Sequence, residues 1–166
     1  MRPTLLGLLR AAYVVLAALA TATLLPRLGV PDPWLPDLVL LGVVTTAVLR
    51  GPVHGALVGL LAGWVVELVP PVGSPLGLTA LVTATGGLVA GLFHSPASRS
   101  GLRPLAALVA AGAVVGLAGA VTTLLAEGNV DVLAGLARLA STVVVGLLTV
   151  PVAVTADRAL VRRRLG

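Results

Sequence analysis

The charged side chains of this 166-residue chain sit at or near the edges of long apolar runs, and that arrangement limits the fold more than any motif does. Leu105 to Ala126, for example, is built only of Leu, Val, Ala, Gly and Thr. A membrane-crossing helix needs about 20 apolar residues, within a range of about 17 to 25. Runs of that kind, marked between charges, prolines and loop-like clusters, number six. The first is Leu5 to Leu25, with Arg10 near its start and Pro26 at its end. The second, Leu38 to Leu49, is short of a full crossing, so it is drawn over residues 34–49 by borrowing the preceding stretch, or else it is re-entrant. The third, Val53 to Val69, closes at Pro70-Pro71-Val72-Gly73-Ser74-Pro75, whose proline density breaks a helix. Leu76 to Phe93, Leu105 to Ala126 and Leu139 to Ala156 complete the set. The expected fold is all-α: a polytopic membrane protein, one integral-membrane domain over residues 1–166, arranged as a six-transmembrane-helix bundle.

Composition excludes the soluble alternative. Hydrophobic residues make up 58% of the chain and charged ones 10%, against about 45 to 50% and about 25% in soluble domains. Seventeen charged side chains cannot clothe a water-facing surface of this size, so the surrounding medium is lipid. The absence of Cys removes disulfides, Cys-ligated zinc and thiol nucleophiles. Every basic residue is Arg, and Lys, Ile and Gln are missing, a bias that reads as a GC-rich bacterial genome. A net charge of +5 raises the question of nucleic acid. The placement of the arginines answers it in favour of the lipid bilayer, with no nucleic acid expected.

Loops retained in the cytoplasm carry an excess of Lys and Arg. Following the chain through six crossings puts Arg2, Arg10, Arg50, Arg99, Arg103, Arg158, Arg162, Arg163 and Arg164 on one side. Arg27 falls on the other, and Arg138 lies near the outer end of the sixth helix. Both termini are therefore expected in the cytoplasm, and omission of the second span would place the Arg-rich ends on opposite sides. The basic tail itself fixes topology and meets anionic headgroups. The leading run is too long, and lacks a convincing cleavage site, for a removed signal peptide.

Gly51, Gly55, Gly59 and Gly63 recur every fourth residue and form one slightly drifting helical stripe that continues to Glu67. Lipid supplies no hydrophobic drive between helices, so close packing over small residues is a main source of association. The stripe is expected to be an internal seam against the second, fourth or fifth span, the alternative being a seam for a partner protein. Gly112 and Gly116 make a weaker repeat.

Glu67 lies inside the end of an apolar span, where ionisable groups usually have a function or a partner. Asp37, after Pro36, occupies a first helical turn that favours negative charge, and Arg138 is on the same outer side. The three define a candidate outer polar cluster, each member having the simpler alternative of snorkelling to headgroups. His54 and His94, at the cytoplasmic edge without supporting Asp, Glu or Cys, are too few for a zinc site. Trp34 reads as an interface anchor. No catalytic elbow, metalloprotease helix, phosphate loop or dinucleotide fingerprint occurs, so neither enzymatic activity nor a cofactor is expected.

The stretches Pro36-Asp37-Leu38, Leu49-Arg50-Gly51-Pro52 and Gly55-Ala56-Leu57-Val58-Gly59 resemble the MreD family of rod shape-determining membrane proteins. The likeness continues through Ala62-Gly63-Trp64-Val65-Val66-Glu67-Leu68, Pro70-Pro71, Pro75 to Leu81, and Gly87-Leu88-Val89-Ala90-Gly91, covering about a third of the chain. The family usually has Asp where this chain has Glu67, and often an aromatic residue near Gly87. The resemblance implies a non-enzymatic membrane scaffold of the bacterial cell-elongation and peptidoglycan-synthesis machinery. Its implied partners are an MreC-like membrane protein, an MreB-like actin homologue, and a wall-synthesis transpeptidase and glycosyltransferase. The family is also similar in fold to the substrate-binding subunits of energy-coupling-factor vitamin transporters, which supplies the alternative function. Such a subunit needs convergent polar residues in its outer half, and few are present.

Overall fold

The computed structural model describes residues 12, 13, 16, 34–68, 76–94, 102–129 and 131–165. Among them the only regular structure is helical: α1 (Leu38–Arg50), α2 (Pro52–Leu68), α3 (Leu78–Gly91), α4 (Leu102–Glu127) and α5 (Val132–Leu165). These correspond to the second to sixth expected spans. Of the first, only Ala12, Tyr13 and Leu16 are described, all helical. The rest of it and the turn at residues 69–75 lie outside the described residues.

α1 starts just after Pro36, where the Asp37 carboxylate accepts the Leu40 N–H at 2.9 Å and supplies an N-cap. It ends at Gly51, whose φ of +92° a side chain would resist, and whose N–H donates to the Ala47 carbonyl at 2.8 Å. Arg50 in the last turn suits the negative end of the helix dipole. Pro52 then opens α2 with the φ it is locked to, so a single residue separates the two helices. Val39 and Val43 of α1 share a buried cluster with Ala62, Val58 and Val65 of α2, while Ala47 lies against Gly55. The residue order runs in opposite directions, which makes the pair an antiparallel hairpin.

Among the described residues α1 is the most central helix. Its other side, Leu40, Leu41, Val44 and Ala47, packs with Ala90 of α3, Ala107, Leu108 and Ala111 of α4, and Val150 of α5. A helix apolar on every side belongs inside. Its two interior hydroxyls are satisfied locally, Thr45 donating to the Leu41 carbonyl at 2.7 Å and Thr46 to Gly42 at 2.9 Å. The weakest span by length is thus the most deeply packed helix.

The three inner helices have 13, 17 and 14 residues, or about 20, 26 and 21 Å at 1.5 Å per residue. All three fall short of the roughly 30 Å of a hydrocarbon layer. α4 and α5 differ: Leu102–Ala126 and Val132–Val150 are long and apolar enough to cross a membrane. They expose Leu117, Leu125, Leu133 and Leu148 by 68 to 82%, a surface suited to an apolar medium.

Two helices depart from the boundaries expected above. α4 begins at Leu102 rather than Leu105 because Pro104 falls in the first turn, where its missing N–H has no helical partner to lose. α5 runs from Val132 to Leu165 rather than from Leu139 to Ala156. Asp131 caps its start, accepting the Ala134 N–H at 3.0 Å, and Arg138 lies in its second turn. Charge limits a membrane crossing, but it does not stop a helix.

Candidate functional site

The glycines of α2 face α3. A Cβ built on Gly55 would run into the Gly87 carbonyl oxygen, one on Gly59 into the Thr83 carbonyl, with Ala84 Cα at 2.9 Å, and one on Gly63 into Ala80, whose N would be at 2.7 Å. The relation is reciprocal, since a Cβ on Gly87 would meet the Gly55 carbonyl and one on Gly91 would meet Pro52. Only hydrogen fits at these positions. The pairs 55/87, 59/83 and 63/80 descend one helix as they climb the other, so α2 and α3 are antiparallel with backbones in direct contact, as small residues permit. The Thr83 hydroxyl lies 2.7 Å from the Gly59 carbonyl and equally far from its own Thr79 carbonyl, sharing one proton across the seam. Gly51 stands apart from this seam. A Cβ on it would lie 3.7 Å from the His94 ring, and it serves as the turn between α1 and α2.

Glu67 closes the end of the same seam at the start of α3. It is 5% exposed; its Oε2 accepts the Gly77 N–H at 2.8 Å and its Oε1 the Thr79 N–H at 2.7 Å. Gly77 is the N-cap residue of α3, with φ +93° and no side chain to cap with. The carboxylate of the preceding helix therefore satisfies the amide groups that the α3 terminus leaves free, and its charge meets the positive end of the α3 dipole. Bonds from N–H to an ionised carboxylate are among the stronger ones. Glycine at position 77 and glutamate ten residues earlier are thus complementary parts of one lock.

Asp37 and Arg138 belong to a second junction at the same end. The Asp37 N–H donates to Thr142 Oγ1 at 3.0 Å, and that hydroxyl donates to the Arg138 carbonyl at 2.7 Å. This ties the start of α1 to α5. Arg138 is exposed, and among the described residues neither carboxylate bonds to its guanidinium. Of the three positions grouped in the sequence, the structure joins Asp37 and Arg138 only through Thr142, and it gives Glu67 to α3.

At the opposite end His94 Nδ1–H donates to the Val48 carbonyl at 2.6 Å, capping the last turn of α1, while His54 is exposed. Among the described residues no group of three His, Cys, Asp or Glu side chains could hold a metal. Beside Glu67 lies an open concavity of about 380 Å³ lined by Trp64, Glu67, Leu68, Leu76 and Gly77. Its walls are apolar except for the carboxylate, whose two oxygens are already engaged. The arrangement holds helices together, and among the described residues it pairs no nucleophile with a base.

Sequence reasoning missed the α3 half of the seam and the role of Thr142. A signal for the former was present, because Thr83, Gly87 and Gly91 repeat the four-residue step of α2. Thr142 acts across 105 residues of chain, and nothing local marks it.

In comparisons with known proteins, no family model, curated protein or solved structure matches the chain. Fold and site define an all-α protein in which two helices are long and apolar enough for a membrane and three shorter ones form a glycine-sealed core.

Proposed function

We propose that the chain is a multi-pass protein of the bacterial cytoplasmic membrane, a six-transmembrane-helix bundle with both termini in the cytoplasm. It acts as a non-enzymatic scaffold of the cell-elongation machinery, as its resemblance to the MreD family implies. One observation carries the proposal: several of the residues that bear the resemblance cap the inner helices and seal α2 on α3. Asp37 caps α1, Gly51-Pro52 turns the chain, Gly55, Gly59 and Gly63 seal α2 on Gly87 and its neighbours, and Glu67 caps α3. A likeness concentrated in packing and capping residues fits a protein whose task is to present a rigid surface to partners. It fits less well a protein whose task is chemistry.

The partners are an MreC-like membrane protein, an MreB-like actin homologue and the wall-synthesis transpeptidase and glycosyltransferase. The transporter alternative has the 380 Å³ concavity beside Glu67 in its favour, a volume within the range of ligand pockets, about 300 to 1,000 Å³. Its single ionisable group is occupied as a helix cap, which leaves little to recognise a polar vitamin. Co-expression with an MreC-like protein of the same genome, followed by purification in mild detergent, tests the proposal. Stable copurification is expected. Copurification with coupling ATPases instead would assign the chain to transport.

A further inference from the structure

The α2–α3 hairpin is shorter than the helix beside it, and its contacts show by how much. One end is set by Pro52, which a Cβ on Gly91 would meet, and the other by Glu67, whose carboxylate holds the Gly77 N–H. Those two levels are about 22 Å apart along α2 at 1.5 Å per residue. Polar features close the hairpin at both. Arg50 and His54 stand exposed beside Pro52, and charge is costly inside a hydrocarbon layer. At the Glu67 level the chain leaves helical geometry in a turn at Leu76 and Gly77, with Leu76 exposed, and irregular backbone facing lipid is confined to the edges of that layer. The hairpin can therefore face only about 22 Å of hydrocarbon.

α4 overhangs this hairpin at both ends. A Cβ on Gly86 would lie 3.4 Å from Val115 and 3.6 Å from the Ala111 carbonyl, and Ala90 shares a buried cluster with Ala107 and Leu108. Positions rise along α4 as they fall along α3, so the two are antiparallel, with Gly91 level with Ala107 and Gly77 level with Val121. α4 is helical from Leu102 to Glu127 and uncharged from Leu105 to Ala126, about 33 Å. One molecule thus offers lipid two heights: about 22 Å on the hairpin, where Leu57, Leu61, Trp64 and Leu81 are exposed, and about 33 Å on α4, where Leu117 and Leu125 are. A helix longer than the roughly 30 Å hydrocarbon layer can tilt. A shorter one gains nothing from tilt, and the bilayer thins to meet it at a cost that grows with each ångström of mismatch. Lipids with short chains reduce that cost.

We propose that the α2–α3 face is a binding surface for short-chain phospholipid, which lines it as a locally thinned patch of bilayer, while α4 of the same molecule takes lipid of ordinary length. This selection rests on the membrane topology given above and not on the scaffold role. Trp64 is a native probe on the face. The full chain carrying Trp34→Phe is reconstituted into brominated dioleoylphosphatidylcholine mixed with either dimyristoleoyl- or dierucoylphosphatidylcholine, and the recovery of Trp64 fluorescence gives the relative affinity of each unbrominated lipid. A second chain, with Trp34→Phe, Trp64→Phe and Leu117→Trp, reports from α4. At Trp64 the short-chain dimyristoleoyl lipid is expected to bind several-fold more tightly than the long-chain dierucoyl lipid, and Leu61→Trp in the background without Trp34 and Trp64 repeats the result. At Leu117→Trp the preference is weaker or reversed. The same preference at both helices, or a long-chain preference at Trp64, overturns the proposal. So does a Trp64 that brominated lipid does not quench, which would put a second copy of the chain on this face. Gly73→Cys, probed in intact cells, separates the two levels. If it is labelled from outside while both helices show one preference, only the lipid selection fails; if it is protected, the topology fails and the lipid selection with it.

Discussion

Replacing Gly59 by Ala is the smallest change that probes the α2–α3 seam. The added methyl group would enter the Thr83 carbonyl, with the Thr83 carbon at 2.7 Å and Ala84 Cα at 2.9 Å, and these are backbone atoms with no rotamer to yield. Overpacking of this kind costs about 1 to 3 kcal/mol. Pushing the helices apart also lengthens the bond between the Thr83 hydroxyl and the Gly59 carbonyl, worth about 0.6 kcal/mol on average between membrane helices. Against this, Ala is the better helix former by up to about 1 kcal/mol. The net expectation is a loss of about 0.6 to 2.6 kcal/mol. Gly116 and Gly119 of α4 provide the control, because a Cβ at either meets nothing within 4 Å, and there the propensity gain acts alone. Unfolding of the purified protein by titration of a denaturing detergent, followed by the fluorescence of Trp34 and Trp64, measures both. Gly59→Ala should unfold earlier than wild type, and Gly116→Ala at the same point or later. If Gly59→Ala is as stable as Gly116→Ala, the backbones are not in contact and the seam is wrong.

The other expectations follow from single junctions. Glu67→Leu leaves the half-buried Gly77 and Thr79 N–H groups without that acceptor, at up to about 1 to 3 kcal/mol each. Detergent stability and partner copurification should both fall, with Glu67→Asp closest to wild type and Glu67→Gln, which keeps one acceptor, between Asp and Leu. Asp37→Ala removes an N-cap and should cost about 0.5 to 2 kcal/mol by the same denaturation assay. Arg138→Ala, at an exposed side chain with only its carbonyl engaged, should stay within about 0.5 kcal/mol of wild type. A loss as large as that of Glu67→Leu would show that the two are coupled after all.

Periodicity and punctuation made much of this fold legible. The break at Arg50-Gly51-Pro52 appears where the sequence places it, whereas Asp37, expected in the first turn, stands just before it as the N-cap, where a short carboxylate reaches the Leu40 N–H. The extent of α5 was not legible from hydropathy, because an apolar run ends where charges begin and a helix need not, as Val132–Leu165 shows. The four-residue glycine step shows which α2 positions share a face, but it is silent on what that face meets. Glu67 illustrates the same gap. Its position in an apolar span announces a partner, yet that partner is a pair of backbone N–H groups ten and twelve residues on, and backbone amides carry no sequence signature.

The central claim is that these helices traverse a membrane six times with both ends inside. The chain contains no cysteine, so single cysteines can be introduced without background and probed in intact cells with a membrane-impermeant thiol reagent. Cysteines at Gly73 and Asn129 should be labelled from outside, and those at Arg50, Arg103 and Gly166 only after the membrane is opened. Labelling at Asn129 but not at Gly73 would contradict the six-span topology, reducing α1 to α3 to a re-entrant cluster beside the α4–α5 hairpin.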